Sequence, residues 1–245
     1  MKVVGVIPSR YGSTRLEGKP LMDICGKPMI QYVYELAKKV ECIQHVIVAT
    51  DDLRIVAAVE QFGGQARMTS MNHKSGTDRV AEVARKESAD IVVNIQGDEP
   101  LLDPRMIDEA VKPLLEDQTI MVSTLCRRIE NEDAMQNQNV VKTVFDQDGN
   151  ALYFSRSLIP YPRNHDGHQV YEHIGIYVFR HEFLMRFVKW PQTPLEITES
   201  LEQLRIIENG IKLKVVTTQY EFNGLSVDTQ EDLEVVRKII QSQGK

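Results

Sequence analysis

The chain lacks any Cys-x-x-Cys pair and has only three cysteines, Cys25, Cys42 and Cys126, widely spaced. An odd, scattered set excludes a disulfide framework and offers no zinc pattern; these thiols are expected to be reduced, packed in apolar surroundings and inert. Long apolar runs are also missing. The N-terminal run, "VVGVI" at residues 3–7, is too short for a membrane span or a signal-peptide core, so the expectation is a cytoplasmic protein with no membrane partner. Basic charge is in deficit: 29 Lys and Arg stand against 35 Asp and Glu, a net charge of −6. That balance argues against a nucleic-acid partner, which would need cations spread over a broad face. There is no fixed-period repeat or low-complexity tract, and no Ser-His-Asp or Cys-His pattern calls for covalent catalysis.

What is present is an alternation of short β-branched runs with helical patterns. Residues 3–7, 45–50 and 90–95 read as buried strands, while Met29, Ile30, Val33, Leu36, Ala37 and Val40 recur at helical spacing. "DDLRIVAAVEQFGG" reads as a helix closed by Gly63 and Gly64, and "GTDRVAEVARKE" as another, capped by Thr77 or Asp78. Strand, helix, strand implies right-handed crossovers and an α/β fold, three-layered around a mostly parallel sheet. A chain of 245 residues with 42% hydrophobic content suits one domain over 1–245 with an elaboration. That elaboration is expected as a β-rich insertion at about 140–180: a hairpin around Asp148-Gly149, a turn-rich "PYPR" and the strand "YEHIGIYVF". One helix is then expected over "PLEITESLEQLRIIENG", a strand over "KLKVVTT", and a last helix N-capped by Asp228 or Thr229.

Ligands of an open parallel sheet bind at the carboxyl ends of its strands. The loop "PSRYGSTRLEGKPL" (8–21) follows the first strand and carries Arg10, Arg15 and Lys19 between glycines, a combination suited to a polyphosphate. It is not a Walker loop, because five residues separate Gly12 from Gly18-Lys19 and Pro20 replaces the Ser or Thr that binds magnesium. In "NIQGDEP" (94–100), Asp98 reaches the same sheet edge. A carboxylate facing a triphosphate requires a divalent cation between them, for which Mg²⁺ is the oxygen-preferring choice; the alternative is that Asp98 caps the helix entered at Pro104. Asp228 in "SVDTQEDL" reads on spacing alone as an N-cap. "HKSGTDR" (73–79) offers Ser75 and Gly76 either to a nucleotide or to a plain capping turn. His173 and Tyr177 alternate on one face of "HIGIY", and Glu202 and Gln203 lie within the expected helix; singly, each is as well explained structurally.

Taken together and in order, these stretches, with "ALYFSRSLIPYPR", "SLEQLR" and "VDTQEDL", resemble the 3-deoxy-manno-octulosonate (KDO) cytidylyltransferases over nearly the whole chain. The resemblance implies a nucleotide-diphospho-sugar transferase-like fold and transfer of CMP from CTP to the anomeric hydroxyl of an acidic eight-carbon sugar, with loss of pyrophosphate. It implies that Arg10, Arg15 and Lys19 hold the triphosphate, with Arg10 and Lys19 acting in catalysis, and that Ser75 and Gly76 seat the nucleotide. It implies that Asp98 and Asp228 ligate Mg²⁺, and that Gln96, Arg156, His173, Tyr177, Glu202 and Gln203 bind the sugar. It further implies a homodimer formed through the β-rich insertion. The chain departs from the common family pattern at Ser9 and Glu17, where Ala and Pro are usual, and at Ser226 and Gln230, where Gly and Pro are usual; Glu17 is therefore expected to point outward. The motifs leave open KDO against 8-amino-KDO or another acidic sugar, a silent nucleotide-sugar-binding relative, and a lipopolysaccharide or capsule destination.

Overall fold

The computed structural model describes residues 1–12, 16–164, 166–222 and 225–243. Their contacts form two compact units, one of Met1–Asp108 with Tyr220–Lys245, the other of Glu109–Gln219. In chain order the elements are β1 (Val3–Ser9), β2 (Asp23–Ile24), β3 (Lys27–Pro28), α1 (Met29–Ala37), β4 (His45–Thr50), α2 (Leu53–Gln61), β5 (Ala66–Met68), α3 (Gly76–Ala84), β6 (Ile91–Asn94) and α4 (Pro104–Glu116). They continue with β7 (Val122–Ile129), α5 (Glu132–Gln136), β8 (Lys142–Phe145), β9 (Ala151–Ser155), β10 (Val170–Arg180), α6 (His181–Phe187), α7 (Pro194–Glu199), α8 (Leu204–Glu208), β11 (Lys214–Thr217) and α9 (Gln230–Gln243).

In the first unit β1 lies between β6 and β4, and β5 flanks β4, all parallel. These strands are apolar along their length because both faces are covered: Val3, Val4, Val6, Ile7, Ile47, Val48 and Ile91 to Val93 are all buried. The parallel register brings Ser9 level with Thr50 and Val6 with Asn94, so the carboxyl ends of β1, β4 and β6 open on one edge. Chain returning from the second unit reaches this edge through Val227, whose N–H donates to the Asp98 carbonyl at 2.9 Å. Val227 is buried with Ile24, Met29, Leu233 and Val236, which anchors α9.

In the second unit β7 pairs parallel to β11 and antiparallel to β10, and β8 joins β10 to β9. The stretch expected as an insertion, about 140–180, supplies β8, β9 and β10 to this unit. Lys142 is fully buried here; its ammonium donates to the carbonyls of Asn137, Val140 and Arg156, and burial holds its pKa below the ordinary lysine value.

Several local expectations are corrected. The helix α3 is capped by Ser75, not by Thr77 or Asp78; Asp78 instead closes a reciprocal capping box with it. The single helix expected over 194–210 is two, broken at Ser200, which adopts a left-handed φ of 54°. Glu202 and Gln203 therefore lie in the turn between α7 and α8. Cys25 is exposed, because Cys25 and Gly26 form the positive-φ turn joining β2 to β3; only Cys126 is buried. Burial lifts the Cys126 thiol to about 11, and burial with the neighbouring Asp108 carboxylate lifts Cys42 to about 12, so neither is a nucleophile at neutral pH.

Across the α7–α8 break, Arg205 donates to both carboxylate oxygens of Glu196 at 2.7 and 2.5 Å, with both residues buried. Arg205→Met strands that carboxylate and is expected to destabilise the protein by about 3 kcal/mol in urea denaturation. A loss below about 1 kcal/mol would mean that the pair does not hold the turn.

Candidate active site

The first unit contains a cavity of about 300 Å³ at the strand ends, lined by Arg10, Lys19, Ser75, Gly76, Gln96, Asp98 and Asp228 among others. Seven residues proposed from sequence are thus brought to one place. Arg15 lies outside the described residues.

Lys19 is placed by its own loop. Gly18 takes a left-handed φ of 67° and donates its N–H to the Tyr11 carbonyl at 3.0 Å; a Cβ there would also meet the Tyr11 ring at 3.1 Å. The Tyr11 ring is also engaged by the Arg54 guanidinium, 3.4 Å from the ring centroid. Lys19 opens the following 3₁₀ turn, and Glu17 is exposed as expected. The Lys19 ammonium then donates to Asp98 Oδ2 at 2.7 Å and to Asp228 Oδ1 at 3.1 Å.

Both carboxylates are freed from capping. The N-terminus of α4 is served by Asp103, which accepts from the Arg105 N–H at 2.9 Å. At α9 the cap is Thr229, whose hydroxyl accepts from the Asp232 N–H, while Asp232 accepts in return from the N–H groups of Thr229 and Asp228. The capping role read for Asp228 is therefore filled by its neighbour. Gly97 brings Asp98 past β1 at close range: a Cβ at Gly97 would lie 3.0 Å from the Pro8 carbonyl oxygen.

Two carboxylates meeting one cation present hard oxygen donors at a single point. Mg²⁺ is commonly held by one or two carboxylates completed by substrate phosphates and water, so this donor pair fits it. Among the described residues no cluster of three or more His, Cys, Asp or Glu forms a larger cage.

Sequence reasoning missed other cavity residues, notably His73, Lys74 and Arg79. Arg79 is buried, donating to Thr69 Oγ1 at 2.5 Å and to Asp51 Oδ2 at 2.7 Å, so α3 and the ends of β4 and β5 are tied together beneath the cavity. It stood in the quoted stretch "HKSGTDR", but a cation in a helix gives no sign that it turns inward.

The candidates of the second unit form a group of their own. His173 and Tyr177 keep their rings 5.4 Å apart although β10 shifts register between Ile174 and Tyr177. Burial, and secondarily the Glu202 charge, push the Tyr177 phenol well above its ordinary value. Thr124 Oγ1 has one proton, and its 2.7 Å contact with the Ile176 carbonyl oxygen uses it; the 2.9 Å contact with His173 Nε2 then requires the ring to donate. His173 is accordingly the neutral Nε2–H tautomer, with Nδ1 as an acceptor. Arg156 is clasped by Glu199, whose carboxylate accepts the Arg156 N–H at 3.0 Å and whose carbonyl accepts Nε at 2.9 Å. Gln203 is buried, and its Nε2 has no partner among the described residues.

Burial lowers the His173 pKa from 6.5 to about 3. The unfolded chain then takes up this proton first, so the residue's stabilisation is complete above pH 6.5 and is lost progressively as pH falls toward 3. Between pH 7 and 5 the protein is expected to lose about 2 kcal/mol more than His173→Asn, measured by urea denaturation at each pH. Parallel pH slopes would contradict the assignment.

Residues 4–213 match the family model described as Cytidylyltransferase. The chain is 52% identical over 247 residues to the 3-deoxy-manno-octulosonate cytidylyltransferase of Geotalea uraniireducens (strain Rf4), covering 96% of this chain and 98% of that one. It is 49% identical over 255 residues, and all of both chains, to the enzyme of the same name from Geotalea daltonii (strain DSM 22248 / JCM 15807 / FRC-32). Among solved structures it is similar to a CMP:2-keto-3-deoxy-manno-octonic acid synthetase complexed with CTP, with a TM-score of 0.95 and 46% identity over 99% of this chain and 100% of that one. A TM-score of 0.64 at 16% identity relates it in fold alone to a 4-diphosphocytidyl-2C-methyl-D-erythritol synthase from Anaerococcus prevotii DSM 20548, covering 98% of this chain and 99% of that one.

Proposed function

The chain belongs to the 3-deoxy-manno-octulosonate cytidylyltransferases, and from that premise we propose that it transfers CMP from CTP to the anomeric hydroxyl of KDO. The observation that carries this reading is the meeting of Lys19, Asp98 and Asp228 in a cavity edged by Arg10 and the N-terminus of α3. In the reaction the sugar oxygen bonds to the α-phosphorus, the bond to the bridging oxygen breaks, pyrophosphate leaves and the hydroxyl proton passes to solvent.

Arg10 and Lys19, with Arg15, neutralise the triphosphate, and Lys19 also offsets charge developing on the departing pyrophosphate. Ser75 and Gly76 seat the nucleotide at the start of α3, where the positive end of the helix dipole favours an anion. Asp98 and Asp228 hold Mg²⁺, which when bound lowers the pKa of an adjacent alcohol and withdraws electron density from phosphate. Positioning and electrostatics suffice, because phosphoryl-group chemistry asks little covalent work of the protein. Sugar binding is assigned to Gln96 in the first unit and to Arg156, His173, Tyr177, Glu202 and Gln203 in the second. The homodimer is assigned to the β-rich stretch, in which Leu152 and Tyr161 are exposed. No described helix is long and apolar enough to cross a membrane; a cytoplasmic location is part of the same proposal.

Purified protein given CTP, Mg²⁺ and KDO is expected to release pyrophosphate, and to stop when the metal is chelated. Asp98→Asn is expected to lower kcat by at least about 100-fold. Parallel assays with 8-amino-KDO decide between the acidic sugars, and no release with any acidic sugar from folded, CTP-binding protein would overturn the transferase reading.

A further inference from the structure

Lys19 contacts both proposed metal ligands at once. Its ammonium lies 2.7 Å from Asp98 and 3.1 Å from Asp228, and the lysine side chain is only 15% exposed against 27% and 33% for the two carboxylates. Two carboxylates within reach of a single nitrogen repel each other unless a cation stands between them. Here the cation beside both carboxylates is the Lys19 ammonium. Asp98 Oδ2 and Asp228 Oδ1 both accept from the ammonium, so a metal ion bound through those two oxygens has to displace it. Lys19 also heads the cationic loop of the cavity, so a bound triphosphate offers it a second set of anionic oxygens.

We propose that Lys19 is the resting counterion of the cation site, excluding metal from Asp98 and Asp228 until a nucleotide triphosphate draws its ammonium away. The inference rests on the reading that these aspartates bind the metal. It assigns Lys19 two successive duties: holding the carboxylates together in the free enzyme, then meeting phosphate when they are released. Binding is consequently ordered. Free enzyme takes metal weakly at this pair, nucleotide raises that affinity, and by reciprocity metal bound there tightens nucleotide by the same factor. The cavity is thereby protected from filling with metal alone.

The test is Mn²⁺ binding to full-length protein without nucleotide, read from the loss of the free-ion electron paramagnetic resonance signal. Wild type, Lys19→Met and Lys19→Met/Asp98→Asn are compared after circular dichroism has shown each to be folded. Lys19→Gln replaces Lys19→Met if the latter fails to fold. The expected result is binding about tenfold tighter in the single variant than in wild type, with the gain abolished in the double variant. Equal or weaker binding in Lys19→Met, still reduced by Asp98→Asn, would overturn the counterion role while leaving the aspartates as ligands. If neither substitution alters Mn²⁺ binding, the metal assignment itself fails and this inference falls with it.

Discussion

The site depends on one ionic meeting: an ammonium between two carboxylates that are 79 and 209 residues away from it in sequence. Each arrives on a different connection. Lys19 comes from the loop after β1, Asp98 from the loop after β6, and Asp228 from the chain entering α9. Bringing like charges together costs energy that a parallel sheet repays through its geometry, since its strands deliver successive loops to one edge without further folding. The apolar strands set where the charges meet; the cation sets how closely.

Around that meeting other residues, Thr229, Asp232 and Asp103, take the helix-capping work that would otherwise consume Asp228 and Asp98. Gly18 and Gly97 permit close approaches that any side chain would obstruct. Arg79 spends its donors on Thr69 and Asp51, bracing the cavity wall. The same economy of hydrogen bonds recurs in the second unit, where Thr124 fixes the His173 tautomer and Glu199 fixes Arg156.

Much of this was legible in the sequence because it depends on local rules. The apolar run at 45–50 coincides with β4, and the helical spacing from Met29 to Ala37 with α1. The cationic loop and the Asp98 turn were readable from their place after strands, whereas the cap of α3, Ser75, lies two or three residues before the one read from sequence. What escaped depends on partners distant in sequence. Spacing left Asp228 and Thr229 both open as the last cap, and the structure gives it to Thr229. The break at Ser200 carries no Gly or Pro and is held by Glu196 and Arg205, a pair that forms only once both helices exist. Cys25 looked apolar in sequence yet sits on a turn tip, and nothing in the sequence marked Arg79 as buried.

The most direct test of the account is a crystal structure with CTP and Mn²⁺ but no sugar, the metal located by its anomalous scattering. The account predicts a Mn²⁺ peak between Asp98 and Asp228, with the Lys19 ammonium moved from the carboxylates onto a phosphate. A structure in which Lys19 still bridges the two aspartates while metal and triphosphate bind elsewhere would contradict it.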